Sequence, residues 1–160
     1  MASVNGMPYI TFYPIRDGEI LHPPAIKLDL SSCDITEEGV VGRNGHCFDT
    51  GKFTKIWESD VKILSICGED DLNLHPDLHQ LQVDCFPANK RDNIELVKYK
   101  GAGHLIEPPF TPHCYASYNK LIRNCLVLGG NRIDHAHAQE DSWRRILQFF
   151  AKHFHGKHML

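Results

Sequence analysis

The chain has 160 residues, which is enough for one domain and too few for two of ordinary size. Its 42% hydrophobic and 23% charged residues are typical of a soluble globular protein, and the net charge of −3 gives no reason to expect nucleic acid or an anionic membrane as a partner. No apolar run is long enough to span a membrane. The six cysteines form no C-x-x-C pair, which indicates reduced thiols and favours a cytoplasmic protein. The C-terminal HML resembles the peroxisomal tripeptide distantly, so the peroxisome is the alternative location.

Residues 1–55 contain several prolines and glycines and only short apolar runs, so we expect loops with one or two short strands there. The rest of the chain has clearer patterns. VKILSIC, residues 61–67, is an apolar run followed by GEDD, and it predicts a buried parallel strand that enters a loop. Residues 76–86 show a helix-like spacing of apolar side chains behind a proline, and IELVKY, residues 94–99, predicts a second strand that runs into GAGH.

Towards the C-terminus we expect a short helix over residues 112–124, a turn at the end of CLVLGG, residues 125–130, and an amphipathic helix over residues 138–154. This last helix is predicted to pack one apolar face against a sheet. That face consists of Trp143, Ile146, Leu147, Phe150 and Phe154. The order strand, helix, strand, loop, helix is typical of an α/β fold. We expect residues 1–160 to form one partial domain, irregular over 1–55 and ordered over 56–155.

His104 lies in GAGHLIEPP, residues 101–109, behind two glycines and an alanine and ahead of a proline pair. Glycine permits a tight turn and keeps bulk away from the ring, and proline cannot continue a helix, so we expect His104 on a loop. GEDD, residues 68–71, follows the preceding predicted strand. In an open α/β sheet the loops at the carboxyl ends of neighbouring strands lie side by side. An acid from GEDD is therefore expected within hydrogen-bond reach of His104.

An acid that orients a histidine and stabilises its protonated form supplies two members of a nucleophilic triad. The alternative is an ordinary Asp-rich turn beside a solvated loop histidine. The third member would decide between them, but the sequence contains no G-x-S-x-G motif. GHCFD, residues 45–49, is the nearest approximation and lacks the final glycine, which makes Cys47 a poor nucleophile candidate.

Three separated motifs, GEDDLN, KYKGAGHLIEPPF, and GG followed by AHAQEDSWRRILQFFAKH, together resemble the C-terminal part of the type I acyl-CoA thioesterases, which form one family with bile acid-CoA:amino acid N-acyltransferase. The resemblance covers residues 56–155, and SVNG near the start resembles the strand end that follows the nucleophile elbow of that family. It implies an α/β fold, namely the C-terminal portion of an α/β-hydrolase fold with an incomplete sheet. It also implies cleavage of long-chain acyl-CoA, or acyl transfer to an amino acid, through a serine or cysteine activated by an Asp–His pair.

By motif position, His104 matches the catalytic base of that family and Asp71 matches its acid, with Asp70 as the alternative. The chain departs from the family pattern because it starts just downstream of where the family carries its nucleophile. We therefore expect acyl-CoA as the substrate class, no cofactor, and an inactive isolated chain; the alternative is a non-catalytic fragment with a binding or regulatory role. We also expect an exposed apolar sheet edge or face near residues 61–67, and poor solubility of the chain expressed alone, because the family's upstream strands are missing.

Two histidine clusters are candidate metal ligands, and a pair of arginines is a candidate phosphate-binding group. HAH, residues 135–137, and HFHGKH, residues 153–158, lack the spacing of a structural zinc site and are joined by no cysteine, so we predict no metal. Arg144 and Arg145 on the last predicted helix would suit a phosphate of coenzyme A, and the alternative for them is a solvated helix face.

Overall fold

The computed structural model describes residues 1–5, 15–16, 19–20, 27–47, 53–106, 109–120 and 122–154. Its strands, in chain order, are β1 (Ala2–Val4), β2 (Ile15–Arg16), β3 (Glu19–Ile20), β4 (Lys27–Leu28), β5 (Asp34–Ile35), β6 (Val40–Val41), β7 (His46–Cys47), β8 (Ile63–Gly68), β9 (Ile94–Tyr99), β10 (Ala116–Asn119) and β11 (Asn124–Val127). The α-helices are α1 (Asp77–Asp84) and α2 (Arg132–Phe154). The described residues therefore form a mixed α/β structure with small, partial sheets. None of the helices in these ranges has the length and apolar character needed to cross a membrane.

A three-stranded parallel sheet in the order β1-β8-β9 lies at the centre of the described structure. All six residues of β8 are buried, as expected for an apolar strand that is covered on both faces. The predictions of a buried strand near residues 61–67 and of a second strand over residues 94–99 are confirmed. The expectation of an exposed apolar edge near residues 61–67 is wrong, because β1 pairs with β8 along the upstream side, with Val4 opposite Ile66.

Each face of this sheet is covered by a different helix, because neighbouring residues of a strand point to opposite faces. α2 covers the face that carries Leu64 and Ile66. α1 covers the other face, where Ser65 Oγ lies 3.2 Å from Nδ1 of His79 and both residues are buried. The helix predicted over residues 76–86 is confirmed as α1. The main apolar core lies beneath α2, and its buried members are Leu64, Ile66, Ala102, Ile106, Ala138, Ile146 and Phe149.

The helix α2 begins at Arg132, before the predicted start at residue 138, and it buries only part of the face expected, with Ile146 in the core and Phe150 packed against it. Ile146 is 9% exposed, as predicted, whereas Trp143 is 43% exposed and Leu147 is 52% exposed. Several of the buried side chains are small or polar, and among them His135 binds backbone groups of the loop that follows β9. The buried positions are His135, Ala138, Gln139, Ser142, Ile146 and Phe149.

The helix predicted over residues 112–124 is wrong, because this segment contains β10 and the start of β11. The two strands are antiparallel neighbours, with Asn119 opposite Asn124. Arg123 has a φ of 52°, in the left-handed region, so the chain turns here and does not continue as a helix. β11 also pairs with β6, and β6 pairs with β5, which attaches part of residues 27–47 to the hairpin in a four-stranded sheet.

A polar network fastens α2 to β9. Tyr99 Oη donates a hydrogen bond to Asp141 Oδ2 over 2.6 Å, and Arg145 Nε donates to the same oxygen over 2.6 Å. The hydrogen bonds from Arg145 and Tyr99 hold the pKa of Asp141 well below its usual range, and burial raises the pKa of Tyr99. Arg144 also pairs with Asp141. Both arginines that were considered for a coenzyme A phosphate are therefore engaged with a carboxylate.

Candidate active site

The carboxylate of Asp71 is fixed in the turn that follows β8. Asp71 is 1% exposed, and its Oδ1 accepts hydrogen bonds from the backbone N–H groups of Asn73 and Leu74, each over 2.8 Å. An aspartate oxygen that accepts from backbone N–H groups two and three residues later in the chain is typical of an Asx turn. This preference explains why DDLNL folds locally in this way. Asp70 is exposed. Of the two acids considered from sequence, Asp71 is therefore the one that faces the interior.

His104 lies in the loop that follows β9, and its ring contacts this carboxylate. Its Nδ1 is 2.8 Å from Asp71 Oδ2, and its Nε2 is 3.2 Å from the side-chain Nδ2 of Asn73. The amide nitrogen of Asn73 can only donate, so Nε2 is the acceptor and the neutral ring carries its proton on Nδ1, facing Asp71. The predicted hydrogen bond between the two residues is confirmed. Nε2 keeps the lone pair that a general base needs.

The glycines around His104 allow its loop to pack closely against residues 129–130. Gly101 has a φ of 75°, a left-handed conformation that glycine adopts without steric cost. A Cβ atom on Gly103 would clash with the carbonyl oxygen of Gly129. The backbone N–H of His104 donates over 2.9 Å to the carbonyl oxygen of the residue that follows β11. The tight loop expected from GAGH is confirmed.

Two more side chains bind the backbone of this loop. Asn5, at the end of β1, is 7% exposed and has a φ of 44°; its Nδ2 donates to the carbonyl oxygen of His104, and its Oδ1 accepts from the last backbone N–H of β8 over 3.1 Å. His135, near the start of α2, accepts a hydrogen bond at Nδ1 from the N–H of Gly103 over 3.1 Å. Its Nε2 lies 2.7 Å from the carbonyl oxygen of Leu105. Elements from both ends of the chain therefore position the loop.

Asp71 and His104 are the site residues predicted from the sequence, which does not indicate the contacts that Asn5, Asn73 and His135 make with His104 or its loop. All three lie in or next to motifs that carry the family resemblance. Asn5 belongs to SVNG, Asn73 ends GEDDLN, and His135 lies between GG and AHAQ. The motifs gave their positions in the chain but no sign of their contacts. Those contacts depend on how the turns after β8 and β9 meet.

The buried cysteine of β8 is not an activated nucleophile. Burial raises the pKa of the Cys67 thiol to about 12, so it stays protonated. Cys47 lies in β7 opposite Lys27, and its assessment as a poor nucleophile stays a prediction. Across the ranges that the structure describes, no three His, Cys, Asp or Glu side chains are grouped so that they would hold a metal ion. Most of HFHGKH, residues 153–158, lies outside those ranges.

Comparison with known proteins identifies the family. A family model described as "BAAT / Acyl-CoA thioester hydrolase C terminal" matches residues 24–156. The chain is 34% identical over 158 residues to acyl-coenzyme A amino acid N-acyltransferase 1 of Mus musculus, an alignment that covers 94% of this chain and 36% of that protein. It is 30% identical over 164 residues to the peroxisomal succinyl-coenzyme A thioesterase of Mus musculus, which covers 98% of this chain and 38% of that protein.

A third relative is the bile acid-CoA:amino acid N-acyltransferase of Mus musculus, 45% identical over 91 residues that make up 56% of this chain and 22% of that protein. The chain thus spans less than two fifths of the length of these relatives. The resemblance found in the motifs and the expected fold class are both confirmed. The chain belongs to the BAAT and acyl-CoA thioester hydrolase C-terminal family, and its partial α/β structure is the C-terminal portion of an α/β-hydrolase-like fold.

Proposed function

We propose that Asp71 and His104 are the acid and the base of a reaction that cleaves the thioester bond of an acyl-CoA. The 2.8 Å hydrogen bond between His104 Nδ1 and Asp71 Oδ2 carries this proposal, because it orients the ring and leaves Nε2 as the basic atom. The names of the relatives support the substrate class, since they include acyl-coenzyme A amino acid N-acyltransferases and acyl-coenzyme A thioesterases.

In the proposed reaction, Nε2 of His104 takes the proton from a serine hydroxyl or cysteine thiol as that group attacks the thioester carbonyl carbon. The C–S bond of the thioester breaks, and Nε2 returns the proton to the departing coenzyme A thiolate. Asp71 stabilises the imidazolium between these steps. Water or the amine of an amino acid then attacks the acyl carbonyl carbon while Nε2 takes its proton; the bond from the acyl group to the serine or cysteine breaks, Nε2 returns the proton to that side chain, and an acid or an amide is released. Asn73, 3.2 Å from Nε2, has to move aside as the nucleophile approaches.

The nucleophile that His104 would activate is not identified within the 160 residues, which contain no G-x-S-x-G or G-x-C-x-G motif. A His–Asp pair acting on water alone supplies general-base assistance of only about 10²- to 10⁴-fold. We therefore expect negligible release of thiol from palmitoyl-CoA or a bile acid-CoA by the purified chain, followed with a thiol-reactive dye. Robust turnover that disappears in His104→Ala would show that the chain holds a nucleophile outside any recognised motif, with Cys47→Ala as the next variant to assay.

A chimera tests the role of the pair directly. The matching C-terminal segment of the mouse acyl-coenzyme A amino acid N-acyltransferase 1 is replaced by this chain, and thiol release from palmitoyl-CoA is measured. We expect turnover that falls by at least about 10²-fold in His104→Ala and in Asp71→Ala. Asp70→Ala is the matched control, because this neighbouring acid is exposed. A folded chimera that is inactive, or whose turnover survives His104→Ala, would refute the proposed roles.

The acceptor of the acyl group separates two versions of this function. Hydrolysis by water is the first, and transfer to an amino acid is the alternative, since relatives of both kinds are similar to the chain. Mass spectrometry of the chimera's products, formed in the presence of a mixture of free amino acids, distinguishes them. Free fatty acid alone supports hydrolysis, and an N-acyl amino acid supports transfer.

A non-catalytic binding or regulatory role is the second candidate function. Titration calorimetry of palmitoyl-CoA into the purified chain tests this role. Binding without thiol release supports it. The absence of heat of binding, together with an active chimera, would leave catalysis as the function of this segment.

We expect the protein in the cytoplasm, with the peroxisome as the alternative because one relative is named a peroxisomal thioesterase. A fluorescent tag at the N-terminus leaves the C-terminal HML free, so microscopy against a peroxisomal marker distinguishes the two compartments. Co-localisation with the marker would overturn the cytoplasmic assignment.

A further inference from the structure

The two ring nitrogens of His135 reach the two peptide groups that flank His104. Nδ1 accepts a hydrogen bond from the Gly103 N–H over 3.1 Å, and Nε2 lies 2.7 Å from the Leu105 carbonyl oxygen. His135 is 1% exposed, and its own backbone N–H donates to the carbonyl oxygen of Asn131, so the ring is carried by a regular part of α2. A single imidazole therefore spans the backbone on both sides of the proposed base.

Only one protonation state of His135 satisfies both contacts. The Gly103 amide can only donate and the Leu105 carbonyl can only accept, so Nδ1 must carry the lone pair and Nε2 must carry the hydrogen. An imidazolium would place an N–H against the Gly103 N–H, and the other neutral tautomer would break both bonds. A buried polar group without a partner is costly, so the neutral Nε2–H tautomer is the state that holds the loop.

We propose that His135 is a positioning residue for His104: as a neutral Nε2–H imidazole it binds the peptide groups of Gly103 and Leu105 and keeps the His104 ring on the Asp71 carboxylate. This inference rests on the proposed function of the Asp71–His104 pair. Positioning matters because the ring has to hold a 2.8 Å hydrogen bond to Asp71 while presenting Nε2 to a nucleophile, and a small shift of the loop would break that bond. Asn5 binds the His104 carbonyl oxygen from β1, so the loop is held from the sheet as well as from α2.

The surroundings of His135 favour its neutral form. Within the described ranges, the titratable ring packed against it is that of His113, whose centroid lies 4.6 Å away and whose Nε2 is 2.9 Å from the carbonyl oxygen of Gly129. Burial lowers the pKa of His135 from its ordinary value, and charge on His113 lowers it as well. His135 also lies in the first turns of α2, where the helix dipole disfavours a cation.

Nitrogen-15 NMR of the 160-residue chain tests the proposal without requiring activity. At neutral pH the ring shifts of His135 should show the Nε2–H tautomer, and those of His104 should show the Nδ1–H tautomer. An imidazolium or an Nδ1–H tautomer at His135 overturns the positioning role. The Nε2–H tautomer at His104, with His135 as expected, contradicts the proposed active site instead, so the two failures are distinguishable.

Variants of His135 test whether its contacts act on His104. His135→Asn retains an acceptor near the position of Nδ1, and His135→Gln retains a donor near the position of Nε2, so each variant loses one of the two hydrogen bonds. We expect each to speed the exchange of the His104 Nδ1 proton with solvent on the order of tenfold, which corresponds to one lost hydrogen bond. Exchange of the β8 backbone amides in the same samples should stay unchanged, because a general loss of stability would accelerate those too.

The exposed His137 lies on the same helix, and His137→Asn is the matched control, with no expected change at His104. Unchanged exchange of the His104 proton in both folded His135 variants overturns the proposal. If neither variant folds, the wild-type tautomer of His135 decides the outcome.

Discussion

The two carboxylate oxygens of Asp71 serve different partners. Oδ1 binds the N–H groups of Asn73 and Leu74, which fixes the turn after β8. Oδ2 binds the Nδ1 of His104. A single side chain therefore sets both the shape of the turn and the orientation of the histidine ring. Asn73 is held by the same turn, which brings its amide to the other ring nitrogen.

The variant Asp71→Asn should switch the tautomer of His104. The asparagine oxygen can still accept from the two N–H groups of the turn, which turns its NH₂ group towards Nδ1 of His104. Nδ1 then has to accept, so the ring proton moves to Nε2 and the Asn73 amide has to turn its oxygen towards it; nitrogen-15 shifts of the His104 ring report the change. Asp70→Asn is the control, because Asp70 is exposed and should leave the tautomer unaltered. A folded Asp71→Asn chain whose His104 keeps its proton on Nδ1 would contradict this account.

The helix α2 has different partners along its length. Near its start His135 binds the His104 loop, in its middle Asp141 binds Tyr99 of β9, and towards its end Ile146 and Phe149 enter the apolar core. His135 replaces part of the apolar stripe that a surface helix usually has, because its ring satisfies backbone groups that the loop would otherwise leave unpaired. As a result Ile146 and Phe149 are buried, whereas Trp143 and Leu147 stay largely exposed.

Truncation of two adjacent residues separates the buried face of α2 from the exposed one. Ile146→Ala removes a side chain that is 9% exposed, and it should lower the free energy of unfolding by roughly 2–5 kcal/mol. Leu147→Ala removes a side chain that is 52% exposed, and its effect should stay within about 1 kcal/mol. Urea unfolding followed by circular dichroism measures both. Equal losses in the two variants would mean that the helix packs by the face predicted from hydrophobicity.

Histidines with a lowered pKa are spread over the molecule: His79 is buried in α1 and His135 in α2, which cover opposite faces of the central sheet, and His46 is half-buried. Burial lowers the pKa values of His46, His79 and His135. For His79 the pKa falls from 6.5 to about 4, and its Nε2 has no hydrogen-bond partner among the described residues. Folding therefore holds these rings neutral at pH values where the unfolded chain would protonate them.

We expect the chain to lose stability as the pH falls below the ordinary histidine pKa of 6.5. When the folded-state pKa is lowered, the unfolded chain binds protons that the folded chain does not. The contribution to stability is therefore fully present above pH 6.5. It decreases as the pH falls from 6.5 to the folded-state pKa of about 4. For His79 alone the loss should reach roughly 3 kcal/mol. Urea unfolding at a series of pH values across this window measures the slope.

His79→Gln should reduce that slope, and the exposed His137→Gln should leave it as in the wild type. Carboxylates with a lowered pKa, such as Asp141, add their own loss only at more acidic pH, because their ordinary pKa is 3.8. A free energy of unfolding that stays constant between pH 6.5 and about pH 4 would refute the prediction.

Local sequence was sufficient for β8, for β9, for α1 and for the meeting of an acid of GEDD with His104, whereas the choice of Asp71 over Asp70 came from the family resemblance. Continuous apolar runs bounded by glycine mark buried strands, and residues that directly follow neighbouring parallel strands must meet at one edge of the sheet. The glycines of GAGH also predicted a tight loop, because two backbones that approach closely leave no space for a side chain. These features depend on residues near one another in the chain or on rules that hold for every parallel sheet.

Tertiary structure alone decided the hairpin of β10 and β11, the buried face of α2, and the contacts of Asn5 and His135. Residues 112–124 contain strands because β10 pairs with β11, which extends to Val127 and also pairs with β6, and the apolar pattern of the segment indicates neither partner. Asn5 reaches the carbonyl oxygen of His104 across 99 positions of sequence. Such contacts depend on the backbone N–H and C=O groups that remain unpaired once the strands have assembled. The pattern of hydrophobic residues along the chain does not predict which groups these are.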